Sequence, residues 1–400
     1  MKARYRYRFY PTDLQKKSLA QLFGCVRVVF NDALALCKNS QKLPKITELS
    51  NLVITQAKKT SSRAWLGEVS SVALQQSVRD LGVAYQNFFS SIKGKRKGRK
   101  VRYPRFKKRR NQQSARLTRN AFTIDNGSVY LAKIGTVKPI WSRELPSIPS
   151  SVTIIKDSAN RYFLSFVVEV EKQSASPRNQ SIGIDLGIKT FATFDTGEKI
   201  NAPKPFKKNL KRLRKLQRNL SRKKQGSKRR ERSRIKVAKL HAKIKDLRGD
   251  FLHKLSTEII RDNQTIVLED LNVSGMLSNR KLSKAISDLG WREFRTIIEA
   301  KAEKYERDFR VIDRWEATTQ TCSCCGFRGG KLDLNIREWQ CLNCETIHDR
   351  DINAAVNIKV AGGLRETINE RGERRQTSGE EAAFTEASTH QESIQLSLFG

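Results

Sequence analysis

Two cysteine pairs, Cys322-x2-Cys325 and Cys341-x2-Cys344, stand fifteen residues apart in this 400-residue chain, and no other feature limits its fold as sharply. Thiolates at that spacing suit one tetrahedral Zn²⁺, because each Cys-x-x-Cys turn aims two sulfurs at a common centre. Cys324 lies inside the first pair and could compete as a ligand, but the turn geometry favours Cys322 with Cys325. The remaining cysteines, Cys25 and Cys37, complete no disulfide framework, which fits a reducing compartment. Shortly after the last ligand comes Asp349-Arg350-Asp351-Ile352-Asn353-Ala354-Ala355, an acidic start to a helix of small residues. Such a ribbon can be a purely structural clip followed by charges that suit the helix dipole. It can equally hold an acid in place for chemistry, and the choice depends on partners upstream.

The partner class follows from charge. Lys and Arg number 79 against 40 acids, a formal net charge of +39 with pI near 10.3. That excess points to a polyanion. No run reaches the roughly 18 apolar residues a membrane span needs, and MKARYRYRFY lacks a signal-peptide core, so nucleic acid is expected and a membrane is not. The length suggests about two to four structural units.

Residues 2–10 alternate strictly, with Ala3, Tyr5, Tyr7 and Phe9 on one side and Arg4, Arg6 and Arg8 on the other, which predicts a half-buried strand with a basic face. Helical spacing follows from Pro11-Thr12 through Leu19, Leu22, Phe23, Val26, Val29 and Phe30, and again over about 62–92. Residues 93–119 hold fourteen Lys/Arg and no acid, with Tyr103 and Phe106 interleaved. A solvated linker would not need the aromatics, whereas phosphate contact with base stacking would use both. Arg99, Lys100, Arg102, Tyr103, Arg105, Phe106 and Lys107 are therefore candidate nucleic-acid contacts. Residues 122–172 read as β structure, and 173–180 as a polar linker. A buried hairpin is expected over 181–194, turning near Gly187. Residues 204–248 carry twenty-one Lys/Arg against two acids and read as a basic helical hairpin closed at Gln225-Gly226-Ser227. Its first arm offers Lys211, Arg214 and Arg218 to nucleic acid. Strands at 265–271 and 311–312 flank an amphipathic helix over 291–307, so this half is an α/β layer.

Acids are scarce, so an acid inside an apolar strand is informative. Asp185 follows Ile182-Gly183-Ile184, and Glu269 follows Ile266-Val267-Leu268. A buried, unpaired carboxylate is costly unless a cation compensates it. The bland alternative pairs Asp185 with Lys189 and Glu269 with a surface lysine. With Asp351 they form a trio that could bind Mg²⁺, a hard cation that takes oxygen ligands. Two such ions suit phosphodiester hydrolysis. Asp270 adjoins Glu269 but faces the other side of the strand, and is left out.

Gly183-Ile184-Asp185-Leu186-Gly187, Leu268-Glu269-Asp270-Leu271, the paired cysteines and Asp351-Ile352-Asn353-Ala354-Ala355 together resemble the TnpB family. These are insertion-sequence-encoded, RNA-guided DNA endonucleases related to type V CRISPR effectors. Phe23-Gly24-Cys25-Val26-Arg27 with Asn31, and Tyr103-Pro104-Arg105-Phe106-Lys107, resemble the family's N-terminal signatures. The resemblance covers about 1–364. It implies a multidomain α/β protein: an RNase H-like RuvC nuclease domain (181–318 and 349–364) with an inserted zinc ribbon (319–348), an N-terminal wedge β-barrel (1–10 and 120–175) and a helical recognition lobe with the basic segment (11–119). It implies Asp185, Glu269 and Asp351 as catalytic, magnesium-binding acids, a structural Zn²⁺ on the four cysteines, and a prokaryotic, cytoplasmic, nucleoid-associated setting. The partners implied are a guide RNA from the transposon end and a double-stranded DNA target beside a transposon-adjacent motif. A guided DNA-binding repressor without cleavage, and a DDE-type transposase, are the alternatives; the intact trio speaks against the first and the ribbon beside the last acid against the second.

Residues 365–400 are rich in Glu, Ser, Thr and Gln and are expected to be disordered. They end in Gln395-Leu396-Ser397-Leu398-Phe399, and a polar tail has no packing reason to finish on three large apolar side chains. QLSLF resembles the pentapeptide by which bacterial polymerases and repair proteins dock on the DNA sliding clamp, with Leu398 and Phe399 as anchors and Gln395 setting register. A peptide spanning 391–400 is expected to bind the host clamp, and Leu398→Ala with Phe399→Ala to abolish that binding without altering cleavage. Equal clamp affinity of the two peptides, by calorimetry, would end the idea.

Overall fold

The computed structural model describes residues 1–363 except 97–99, 174, 177, 179, 331 and 334. The first strand forms where alternation predicts it. β1 (Lys2–Phe9) buries Tyr7 and Phe9 and turns Arg4 and Arg6 outward. Thr12 and Gln15 then form a reciprocal capping box that starts α1 (Asp13–Asn39), satisfying two donors a helix end leaves free. An irregular helix follows as α2 (Ile46–Ser50) and α3 (Ala57–Lys59), joined through a π-helical stretch, Asn51–Gln56. α4 (Ser71–Ile92) begins nine residues later than its periodicity suggests, after a 3₁₀ turn at Ala64–Glu68.

α1 departs from the membrane expectation, because by length and composition it is apolar enough to cross a bilayer. Its apolar stripe, from Leu19 through Leu34, is buried in a core shared with α4 and the first sheet.

That sheet is antiparallel in the order β2-β7-β8-β1-β6, from β2 (Gln113–Thr118), β6 (Pro139–Ile140), β7 (Ser151–Lys156) and β8 (Tyr162–Glu169). β1 runs along the whole of β8, from Lys2↔Glu169 to Phe9↔Tyr162. A three-stranded meander of β3 (Phe122–Asp125), β4 (Ser128–Leu131) and β5 (Gly135–Val137) lies beside it. The sheet thus begins at Gln113, before the boundary expected at 120; QSARLT is too polar to read as a strand until β7 pairs with it.

The second sheet runs β11-β10-β9-β12-β13, built from β9 (Ser181–Asp185), β10 (Ala192–Phe194), β11 (Lys199–Ile200), β12 (Thr265–Glu269) and β13 (Asp308–Ile312). β9, β12 and β13 are parallel, while β10 returns antiparallel to β9. Thr265 to Leu268 are all buried, the continuous run a central parallel strand requires. Two helices form the basic hairpin, α5 (Pro205–Ser221) and α6 (Lys228–Asp262), and Gly226 at φ +84° with the Ser227 cap makes the turn between them. Short helices α7 (Val273–Met276) and α8 (Ser283–Leu289) lead to α9 (Trp291–Tyr305). α6 and α9 cover one face of the sheet through Leu252, Leu255, Ile259, Phe294 and Ile298. After a ribbon hairpin of β14 (Glu338–Gln340) and β15 (Ile347–Asp349), α10 (Arg350–Ala361) lies on the other face, where Ile358 meets Val267 and Ile312.

α10 can lie that close only because position 183 has no side chain. A Cβ there would stand 2.2 Å from the Ala355 carbonyl oxygen and 2.7 Å from Lys359 Cβ. Backbone cannot yield to that overlap as a flexible side chain could. Gly183→Ala is expected to cost about 1–3 kcal/mol of stability, as overpacking does, and to lift α10 from β9. Thermal unfolding checks the first effect, and hydrogen exchange along 350–361 the second.

Candidate active site and metal centre

Three of the scarce acids meet at one end of the second sheet. Asp185 closes β9 and Glu269 closes β12, and because Leu268 is in register with Ile184 the two carboxylates end neighbouring parallel strands. Asp351 arrives from the first turn of α10. That these groups feel one another is evident at Asp185, whose carboxyl is pushed up to about 7. Burial is the main cause, followed by the charges of Asp351 and Glu269, with Arg350 and the Leu186 N–H acting in the opposite sense. Burial also raises Glu269, with Asp270 adding to it. Neither Asp185 nor Glu269 forms an ion pair among the described residues, so the bland pairing with lysines is not found. Asp351 meets Arg337 of the ribbon at 3.2 Å.

The acids next to the trio have other tasks. Asp349 caps α10, accepting from the Asp351 N–H at 3.0 Å and the Ile352 N–H at 3.1 Å. Burial would raise its carboxyl, but an ion pair with Lys199 at 2.6 Å and those N–H groups outweigh it and hold it low. Asp270 points away from the trio, as its place in the strand predicts. Arg295 and Arg314 take its two oxygens and, with Arg295 first, keep its carboxyl low. Asp195 fastens the hairpin to the helix: it accepts from the Gly183 N–H at 3.0 Å and pairs with Lys359 at 2.8 Å.

The cysteines converge as their spacing predicts. All four Sγ atoms lie within 4.8 Å of one another, the only such group of potential ligands among the described residues. Cys322–Cys344 and Cys325–Cys341 are each 3.6 Å apart. A tetrahedron with Zn–S arms of about 2.3 Å has edges of about 3.8 Å, so the sulfurs fit zinc. Cys324 is exposed and outside the group. His348 adds a feature that spacing does not reveal, its Nε2 lying 3.0 Å from Cys322 Sγ in a buried pocket against Trp339.

Two asparagines join this centre to the acid-bearing helix. Asn353, 2% exposed, accepts from the Ser323 N–H at 2.8 Å and donates to the Thr321 carbonyl at 2.8 Å. One turn on, Asn357 donates to the carbonyls of Thr318 and Thr321. The first cysteine knuckle is thus bonded through its backbone to α10. A sequence reader could suspect Asn353 and Asn357 only from their i, i+4 spacing.

The expected nucleic-acid contacts divide. Lys100, Arg102, Arg105 and Phe106 are exposed, as are Lys211, Arg214 and Arg218 along one face of α5. Tyr103 is exposed as well but also packs against the protein, and Lys107 is turned inward. The Tyr103 ring packs edge-on against Tyr85 and Phe88, and its hydroxyl meets that of Tyr85 at 2.6 Å. The Lys107 ammonium sits 3.9 Å from the Phe30 ring centre, burial lowers its pKa, and Asn31 grips its backbone on both sides. These two side chains strap the segment to the helices; for Lys107, whose ammonium lies on Phe30, this replaces the exposed position expected of it. Arg99 lies outside the described residues, as do Gln395, Leu396, Leu398 and Phe399 of the terminal pentapeptide.

Comparison with known proteins agrees with this geometry. A family described as "Probable transposase" matches residues 165–280, and a "Cas12f1-like, TNB domain" family matches residues 291–358. A "Helix-turn-helix domain" family matches residues 1–42, where the structure has β1 and the single helix α1. A Streptomyces pristinaespiralis protein named as an RNA-guided DNA endonuclease is 45% identical over 373 residues, covering 90% of each chain. InsQ of Escherichia coli K12, named likewise, is 29% identical over 379 residues, covering 90% of this chain and 92% of its own. A solved Cas12f1–sgRNA–target DNA complex aligns over 86% of this chain and 81% of its own at 14% identity, with a TM-score of 0.49, too low to carry an argument.

Removing one zinc ligand is expected to release the metal and loosen α10, because site formation contributes folding energy. Cys322→Ser should purify without stoichiometric zinc by elemental analysis and lose amide protection over 350–357. Cys324→Ser should keep one zinc per chain.

Proposed function

The chain belongs to the TnpB family, and from that premise we propose that it is an RNA-guided DNA endonuclease of an insertion sequence, cutting target DNA beside a transposon-adjacent motif by metal-dependent phosphodiester hydrolysis. The observation that carries this reading is the gathering of Asp185, Glu269 and Asp351 at one end of the second sheet, where Asp185 is raised by burial and by the other two charges. Like charges so arranged oppose folding unless a cation joins them. Oxygen-only donors suit Mg²⁺, and their wider spacing than the cysteines suits a pair of ions about 3.5–4 Å apart better than one. Mg²⁺ held there would acidify a water and neutralise charge on the phosphate.

The protein's own part is placement. Asp185 and Glu269 are fixed by strand register, and Asp351 by the Asp349 cap and the asparagine bonds to the zinc knuckle. Arg337, now on Asp351, would be displaced as a cation takes that carboxylate. In this reading the second sheet and α10 are the RNase H-like RuvC nuclease with its zinc ribbon, the first sheet is the wedge and the early helices are the recognition lobe. Base pairing with a guide RNA would read the target, while Lys100, Arg102, Arg105, Phe106, Lys211, Arg214 and Arg218 hold nucleic-acid backbone. Such a protein acts where DNA is, in the prokaryotic cytoplasm at the nucleoid.

The test uses the protein purified with co-expressed transposon-end RNA, a matched plasmid and Mg²⁺. Asp185→Ala, Glu269→Ala and Asp351→Ala are each expected to cut cleavage by more than the roughly 10–100-fold typical of outer-shell changes, with guided DNA binding retained. Loss of RNA binding in all three would make the acids structural. Cleavage without RNA, or joining of strands, would replace the guided nuclease by a transposase.

A further inference from the structure

Trp315 is 85% exposed, more than any other large apolar side chain among the described residues. The other four tryptophans are provided for. Trp65 has a cation over its ring, Trp141 stacks on Phe166, Trp339 meets His348, and Trp291 is buried in the core. Trp315 has no ring or cation partner among the described residues. An indole left in water forfeits a large apolar area, and exposed aromatics of this kind mark contact sites.

Its address is specific. Ile312, the last residue of β13, is in register with Glu269. β13 runs parallel to β12, so the chain leaves it heading past the carboxylate end of the sheet. Three residues of chain reach at most about 11 Å, from a strand about 4.8 Å beside Glu269. The loop is also braced. Asp313 accepts from the Trp315 N–H at 3.1 Å through its side chain and from the Glu316 N–H at 3.3 Å through its carbonyl. Arg314 is ion-paired to Asp270, which Arg295 holds from α9. The turn is thus tied to the residue next to Glu269, with the indole standing out from it.

What belongs beside three metal-binding acids, in a chain of net charge +39, is a polynucleotide. Stacking on an aromatic ring needs a base freed from its partner, because paired bases already stack on their neighbours. We propose that Trp315 is a stacking platform for an unpaired base of the DNA strand being cut, one or two nucleotides from the phosphate held at Asp185, Glu269 and Asp351. This rests on the nuclease reading above. Trp315 touches no reacting atom; it is a positioning residue that sets which phosphate lies over the acids.

The experiment uses the full-length complex with its RNA and matched DNA carrying 5-iododeoxyuridine at one position at a time in either strand. Irradiation and mass spectrometry of the adduct are expected to find Trp315 crosslinked from one or two adjacent positions near the cut. In single-turnover assays Trp315→Ala should cut about 5–150-fold more slowly, the range that loss of one base–aromatic stack represents. It should shift or blur the cut position, while binding of the paired guide and target stays unchanged. Trp315→Phe should restore most of the rate and the position, which a side chain needed only for folding would have no reason to do. Crosslinks confined to other residues, or Trp315→Ala cutting at the wild-type rate and position, would overturn the platform while leaving the nuclease intact. Trp315 crosslinking in a wild-type complex that never cuts would overturn the nuclease and keep the base contact. If Trp315→Ala instead abolishes a dimer and leaves cutting unaltered, the indole belongs to a protein interface and the proposal fails.

Discussion

The backbone of α10 rests directly on the backbone of β9, and the site exists because of that contact. Where most helices stand off a sheet by the thickness of their side chains, this one approaches until the Ala355 carbonyl occupies the space a Cβ at position 183 would need. Val267 makes a similar close contact at Gly362, near the other end of the helix. The short stand-off lets the first turn of α10 reach the end of the sheet with a side chain as short as aspartate. The Asp195–Lys359 pair, with Asp195 also holding the Gly183 N–H, fastens the two elements together. A partly buried pair of this sort is weak evidence for net stability, but it ties the helix to the hairpin at one defined place.

The carboxylates gain nothing from one another. Burial and the two neighbouring charges raise the Asp185 carboxyl, and the folded protein holds the trio together against that repulsion. The opposing force comes from elements with no charge at stake: the buried run of β12, the α6 and α9 face of the core, and the zinc knuckle bonded to Asn353 and Asn357. The cysteine knuckle and the acid trio are therefore joined through α10, the knuckle bonded to its asparagines and the third acid carried in its first turn.

Much of this was legible because it rests on local pattern. Alternation in β1, the unbroken apolar run of β12, the helical hairpin with its glycine turn and the cysteine spacing each follow from a short stretch of chain. Acids among few acids drew the eye to Asp185 and Glu269. What stayed hidden depends on partners far along the chain. Lys107 looks the same whether it faces nucleic acid or the protein, and only Phe30 decides. β2 is too polar to announce itself before β7 pairs with it. Trp315 gave no periodic signal, because a lone aromatic in a turn belongs to no pattern.

The order of the acids along the chain carries a consequence for assembly. Asp185 and Glu269 are separated by 269 − 185 = 84 residues, and Glu269 and Asp351 by 351 − 269 = 82. The cost of closing such loops grows only slowly with length, so the distances are affordable. They do mean that no local fragment can hold more than one of the three groups. The first two acids become neighbours when β12 pairs with β9. The third is brought in by α10, which the ribbon knuckle and the close approach at Gly183 hold in place. A partly folded chain, still strongly basic and able to cling to nucleic acid, therefore lacks the means to cut it. The acid trio is complete only in the chain whose last element has docked.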